Sequence, residues 1–222
     1  MYAKMKNNYN TAVRILELLK EEYPGKTTAL EYSNNFELLV ATILSAQCTD
    51  NRVNIVTKKL FSDYKHPSDF ANMPQSTLEQ YIRSTGFYKN KAKNIIKTSQ
   101  MLVSDFKGQV PSNMQDLIKL PGVARKTANI VLNYGFGKPE GIAVDTHVKR
   151  LSYRLGLTSS KNPDQIEQDL VEALPKKLWI EANNLLVWHG RTICKSRKPL
   201  CGECKLNQSC PSAFRTGAKN DS

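Results

Sequence analysis

Apolar residues recur at three- and four-residue intervals along most of this chain, the spacing of one helical face. Val13, Leu16 and Leu19 fall on one side of a helix predicted over residues 11–22, which Pro24-Gly25 would end. Phe36 to Gln47 holds the most apolar run and reads as a buried helix that Asn34 or Asn35 would cap. It contains Glu37 and falls short of the roughly 20 residues a membrane span needs. Asp50 is expected to cap a third helix, with Val53, Val56 and Leu60 inward, and His66-Pro67 marks a turn. Leu78, Tyr81 and Ile82 predict a helix ending near Gly86, and Ile95, Ile96, Met101 and Leu102 predict a fifth after Tyr88. No stretch alternates apolar and polar residues with period two, so the expected fold class is all-α.

The pattern then tightens. Ser112, with Gln115 three residues on, reads as a capping box for a short helix carrying Leu117, Ile118 and Leu120. Pro121-Gly122 stops that helix, and a second begins near Arg125 with Ala128, Val131 and Leu132 inward. Two short helices joined by a tight turn present backbone N–H groups and a helix N-terminus, both suited to an anion such as a DNA phosphate. Lys126 falls in the first turn of the second helix, where the dipole disfavours a charged amine and so favours the neutral nucleophile. Residues 135–141 hold the densest cluster of helix breakers and mark a boundary. Beyond it, helices are predicted from Asp145, over Pro163–Leu174 and over Trp179–His189, and the polar end from Arg215 reads as disordered.

Charge changes the picture next. The chain carries 32 Lys plus Arg against 20 Asp plus Glu, a net +12, which suits a polyanionic partner or else a solvated cationic face. Charges run through the N-terminal helix, so nothing there reads as a targeting or membrane segment, and the cysteines are better explained as metal ligands than as a disulfide framework. Cys194, Cys201, Cys204 and Cys210 follow a Cys-x6-Cys-x2-Cys-x5-Cys pattern. Four thiolates in so short a segment suit a tetrahedral zinc or a [4Fe–4S] cluster, and the presence of only one Cys-x2-Cys pair favours iron–sulfur. Disulfides or buried free thiols are the plainer alternative. Lys195, Arg197 and Lys198 crowd the first interval, with Arg191 just before it, a cationic loop for phosphate if the thiolates pin it; a solvated charged loop is the plainer alternative. Cys48 stands apart as a small apolar filler.

The run Leu120-Pro121-Gly122-Val123-Ala124-Arg125-Lys126-Thr127-Ala128 resembles the helix-hairpin-helix of the endonuclease III family, DNA glycosylases that are also abasic-site lyases. Val144-Asp145-Thr146-His147 resembles that family's aspartate motif, and the cysteine pattern resembles its [4Fe–4S] site. The resemblance implies a helical barrel over 28–139, with the hairpin, and a discontinuous iron–sulfur domain from 1–27 and 140–222. It implies Lys126 as the nucleophile on the deoxyribose C1′ and Asp145 as the carboxylate that assists proton transfers. Asp145 also reads, on sequence alone, as an ordinary helix N-cap, and His147 as a structural residue or phosphate contact. Gly122, Ala124 and Arg125 would meet the DNA backbone, while Gln47 and Phe87 would fill the space left by a flipped nucleotide. The family usually has glycine at the Ala124 position and leucine at that of Phe87. The implied partner is double-stranded DNA with damaged bases or abasic sites, bound by a monomer with no membrane association, in the cytoplasm at the nucleoid of a prokaryote. The implied reaction removes oxidised pyrimidines and cleaves the abasic site by β-elimination. A monofunctional adenine or mismatched-thymine glycosylase and a non-catalytic DNA-binding iron–sulfur module are the alternatives.

Overall fold

The computed structural model describes residues 2–215, with side chains from residue 10 onward. Most of the expected disordered end therefore lies outside the described residues. Among those described, regular structure is helical and no strand occurs.

Residues Thr28–Glu140 form one compact unit. It contains α2 (Asn35–Ser45), α3 (Asp50–Asp63), α4 (Pro67–Ala71), α5 (Gln75–Ile82), α6 (Tyr88–Asp105), α7 (Met114–Leu117) and α8 (Arg125–Ile130). The helix α2 is apolar on nearly every side because it runs through the middle of this unit, with Leu38 through Ala41 fully buried. Val53, Leu60, Phe70, Leu78, Ile82, Ile95, Leu102 and Leu132 pack into the same core. Asn34 caps α2, its side chain accepting the Glu37 N–H, while Glu37 accepts the Ser33 N–H.

Three local expectations are corrected. Thr49, not Asp50, caps α3 by accepting the Arg52 N–H, and Asp50 is the first helical residue instead. Asn113, not Ser112, caps α7 by accepting the Asp116 N–H, so Ser112 is displaced outward and accepts from Lys138. His66-Pro67 opens a short helix rather than a bare turn, because Asp69 accepts both the Lys65 and His66 N–H groups and closes its first turn.

The second unit comprises Met1–Thr27 and Gly141–Ser222. It contains α1 (Tyr2–Glu22), α9 (Thr146–Arg154), α10 (Pro163–Ala173) and α11 (Trp179–Thr192). Helix α1 begins about nine residues ahead of the predicted start, since nothing in its first turns breaks the helix. Its Ala12, Ile15, Leu16 and Leu19 bury with Val148 and Leu151 of α9, Ile166 and Leu170 of α10, and Leu186 of α11. The cysteine segment closes the unit, tied in by the buried Leu206.

Candidate functional site

In the first unit the Pro121-Gly122 turn is built onto α6. Thr98 donates its hydroxyl to the Pro121 carbonyl at 2.8 Å, and Val123 N–H returns to the Leu120 carbonyl at 3.1 Å. Gly122 has φ +79°, and a Cβ there would stand 2.9 Å from Asn94 Nδ2, so the turn needs glycine for both conformation and space. Ala124 has φ −87° and ψ 170°, ordinary extended backbone, and its methyl group introduces no strain. The N-cap of α8 is Ala124, whose methyl group offers no acceptor to the first-turn N–H groups. Arg125 and Lys126 are both exposed on that turn. Helix α8 continues as a π-turn over Val131–Gly135, and a Cβ on Gly135 would stand 2.7 Å from Asn35 Oδ1, so α2 and this helix meet closely.

Gln47 and Phe87 also lie in this unit. Both are non-glycine residues in the left-handed region, at φ 52° and 47°. Phe87 is 65% exposed although it is aromatic, and Gln47 is exposed as well. Left-handed backbone at two protruding side chains is the kind of strain that persists where surrounding structure imposes it. Sequence reasoning missed the buried Lys91, which donates to the Leu44 and Thr85 carbonyls, three residues ahead of Gln47 and two ahead of Phe87. Its signal was its phase: Lys91, Ala92, Ile95, Ser99 and Leu102 form one buried stripe of α6.

In the second unit, Asp145 caps α9. Its Oδ1 accepts the His147 and Val148 N–H groups at 2.8 and 2.7 Å, and Oδ2 takes no part in the cap. His147 Nδ1 lies 3.1 Å from Arg150 Nη2; the guanidinium has no acceptor, so the imidazole accepts. Burial lowers the pKa of His147; Asp145 opposes the shift, and Arg150 and Arg191 reinforce it. Its place beside Arg150 fits the structural role expected of it.

Cys194, Cys201, Cys204 and Cys210 all line one recess with about 370 Å³ of free space, part of it open to solvent. All four are free thiols of intermediate exposure, and Cys48 in the other unit is free too. Among the described residues, no three His, Cys, Asp or Glu side chains converge tightly enough for a single metal ion. Four thiols around one recess supply a donor set that a [4Fe–4S] cluster or a tetrahedral zinc would take. The surroundings agree. Arg154 Nη1 lies 3.6 Å from Cys194 Sγ, and His189 Nε2 lies 3.4 Å from Cys204 Sγ. Burial raises the thiol pKa values of Cys204 and Cys210, and the neighbouring cysteines push in the same direction.

Two arginines of α9 hold the loop that follows Cys194. Arg150 donates to the Cys194 and Gly190 carbonyls, and Arg154 to those of Lys195 and Ser196. Lys195, Arg197 and Lys198 remain exposed on that loop, and Arg191 stands 5.7 Å over the Trp188 ring.

A model of the HhH-GPD superfamily of base excision DNA repair proteins matches residues 40–176. The chain is 51% identical over 210 residues to the endonuclease III of Synechocystis sp., covering 95% of this chain and 96% of that protein. It is 42% identical over 198 residues to the endonuclease III of Escherichia coli, covering 89% and 93%. Among solved structures, a non-covalent endonuclease III–DNA complex superimposes with a TM-score of 0.90 at 42% identity, over 93% of this chain and 97% of that one. An endonuclease III in a trapped covalent intermediate with DNA gives 0.88 at 43% identity, over 91% and 96%.

Proposed function

The chain belongs to the endonuclease III family of the HhH-GPD superfamily of base excision DNA repair proteins, and from that premise we propose that Lys126 is its nucleophile. It is a DNA glycosylase and abasic-site lyase, acting on oxidised pyrimidines in duplex DNA. The observation that carries the assignment is the exposed amine of Lys126 on the first turn of α8, directly after a turn stitched to α6. The neutral amine attacks the deoxyribose C1′, and the damaged base departs with the bonding pair and takes up a proton. The sugar opens to an imine on Nζ. Loss of a C2′ proton then expels the 3′ phosphate by β-elimination, and hydrolysis of the imine returns the lysine. Only a lysine serves here, because arginine does not lose its proton. Asp145 assists the proton transfers and stabilises positive charge on the sugar, and its N-cap fixes the carboxylate's orientation.

Gly122, Ala124 and Arg125 bring backbone N–H groups and a cation to the phosphates, and Arg191, Lys195, Arg197 and Lys198 add a second cationic contact. Gln47 and Phe87 enter the space that a flipped nucleotide leaves. Cys194, Cys201, Cys204 and Cys210 hold a [4Fe–4S] cluster, whose contribution is to pin the cationic loop at both ends. A thiolate at Cys204 would accept from His189 Nε2–H, and the Tyr23 hydroxyl lies 3.1 Å from His189 Nδ1 and 2.7 Å from Thr192 Oγ1. The protein acts as a monomer on damaged double-stranded DNA at the nucleoid of a prokaryotic cytoplasm. Among the described residues no helix is long and apolar enough to cross a membrane.

Borohydride trapping with a duplex carrying one thymine glycol tests the nucleophile. The native protein is expected to give a covalent adduct that Lys126→Ala lacks. Full trapping by the variant would remove Lys126 from the role, and base release without any adduct would point to a monofunctional glycosylase.

A further inference from the structure

Lys91 is 6% exposed, yet its acceptors are two backbone carbonyls rather than a carboxylate: Leu44 at 2.8 Å and Thr85 at 2.7 Å. Each carbonyl ends an element. Leu44 lies in the last turn of α2, and Thr85 closes the 3-10 turn over Arg83–Thr85. Both are positions where a carbonyl lacks a helical partner and where a cation is favoured by the helix dipole. Three residues beyond Leu44 stands Gln47, and two beyond Thr85 stands Phe87, both exposed and both with left-handed backbone. The backbones of these loops approach each other, since a Cβ on Gly86 would meet the Gln47 carbonyl at 3.9 Å.

We propose that Lys91 is a positioning residue that clamps the Gln47 and Phe87 loops together, so that both side chains enter the duplex as one preset wedge. The inference rests on the reading that Gln47 and Phe87 fill the flipped-out nucleotide's space. The apolar stem of Lys91 lies on the buried stripe of α6, and its nitrogen ties one end of α2 to the start of α6. Burial favours the neutral amine and the Cys48 thiol opposes that shift, but either form has N–H groups for both carbonyls. A wedge held this way needs no ordering when DNA arrives, which lowers the cost of opening the stack.

The test compares the native protein with Lys91→Met, Gln47→Ala and Phe87→Ala. Base release is measured in single turnover on a duplex with one thymine glycol, and strand cleavage on a single-stranded oligonucleotide with one abasic site. A 2-aminopurine beside the lesion reports unstacking. Lys91→Met is expected to slow duplex excision roughly 10- to 100-fold and to lose the 2-aminopurine signal. Single-stranded cleavage should stay within about twofold, since no base pair needs replacing there. Native duplex excision by Lys91→Met, beside slow excision by the two wedge variants, overturns the clamp alone. Native excision by both wedge variants overturns the wedge reading itself, and the clamp with it. Equal loss of both activities in Lys91→Met also overturns the clamp. If that variant does not fold, Lys91→Gln takes its place, with an uncharged amide on a stem too short to span both carbonyls; failure of both to fold makes Lys91 a folding determinant and overturns the assignment.

Discussion

Arg154 Nη1 lies 3.6 Å from Cys194 Sγ and donates at 2.8 Å to the Lys195 carbonyl, so the last residue of α9 grips the loop between the first two cysteines. The guanidinium is buried and serves the Ser196 carbonyl as well. Arg154→Met is expected to destabilise the protein by about 2–3 kcal/mol, the cost of losing hydrogen bonds to a charged donor. Lys does not replace it, because one ammonium cannot reproduce the planar fork. Denaturant unfolding and the iron content of purified protein check both statements.

Asp145 offers a separation of two roles within one side chain. Asn is as good an N-cap as Asp but carries no charge. Asp145→Asn is therefore expected to leave the melting temperature nearly unchanged while excision falls by about 100-fold or more. Asp145→Ala should lose excision and also about 1 kcal/mol of stability. Paired melts and single-turnover rates decide it; equal rates for the native protein and Asp145→Asn would reduce the residue to a cap.

Gly122→Ala forces a side chain into left-handed backbone and against Asn94 Nδ2. A cost of about 1–3 kcal/mol follows from strain and overpacking. Because the strained turn precedes the first-turn N–H groups of α8, weaker binding to an abasic-site analogue should accompany it, read by fluorescence anisotropy.

His147 sets a pH dependence whose sign is fixed by burial. Burial holds its folded pKa below the ordinary histidine value, with Asp145 opposing the shift and Arg150 and Arg191 reinforcing it. Its contribution to stability is present above the unfolded value and is lost as pH falls from there toward the folded one. Melting temperatures taken between about pH 7.5 and 5.5 should decline, and His147→Gln should flatten that slope.

Lys195, Arg197 and Lys198 are exposed on the loop after Cys194. If they meet phosphates, replacing all of them by Ala should reduce the slope of log K against log salt by about 0.9 for each contact removed. An unchanged slope would leave them as a solvated charged loop.

Much of the architecture was legible in the chain because helices advertise their faces and their stops. The α2 cap at Asn34 and the α9 cap at Asp145 followed from a short polar residue ahead of an apolar stripe. Thr49 against Asp50, and Asn113 against Ser112, were harder, because adjacent residues of each pair are both able to cap. Lys91, Arg150 and Arg154 were missed for another reason. Their acceptors are backbone carbonyls, which leave no mark in a sequence, so only the position of a cation on an apolar stripe could have betrayed them.

Helix α9 is nine residues long, about 13 Å at the helical rise, with the carboxylate of Asp145 at one end and the grip of Arg154 on the cysteine loop at the other. Loosening of the cysteine loop would reach this strut from its far end, through Arg154. The cap at Asp145, closed by two local N–H bonds, would be the last part to give way.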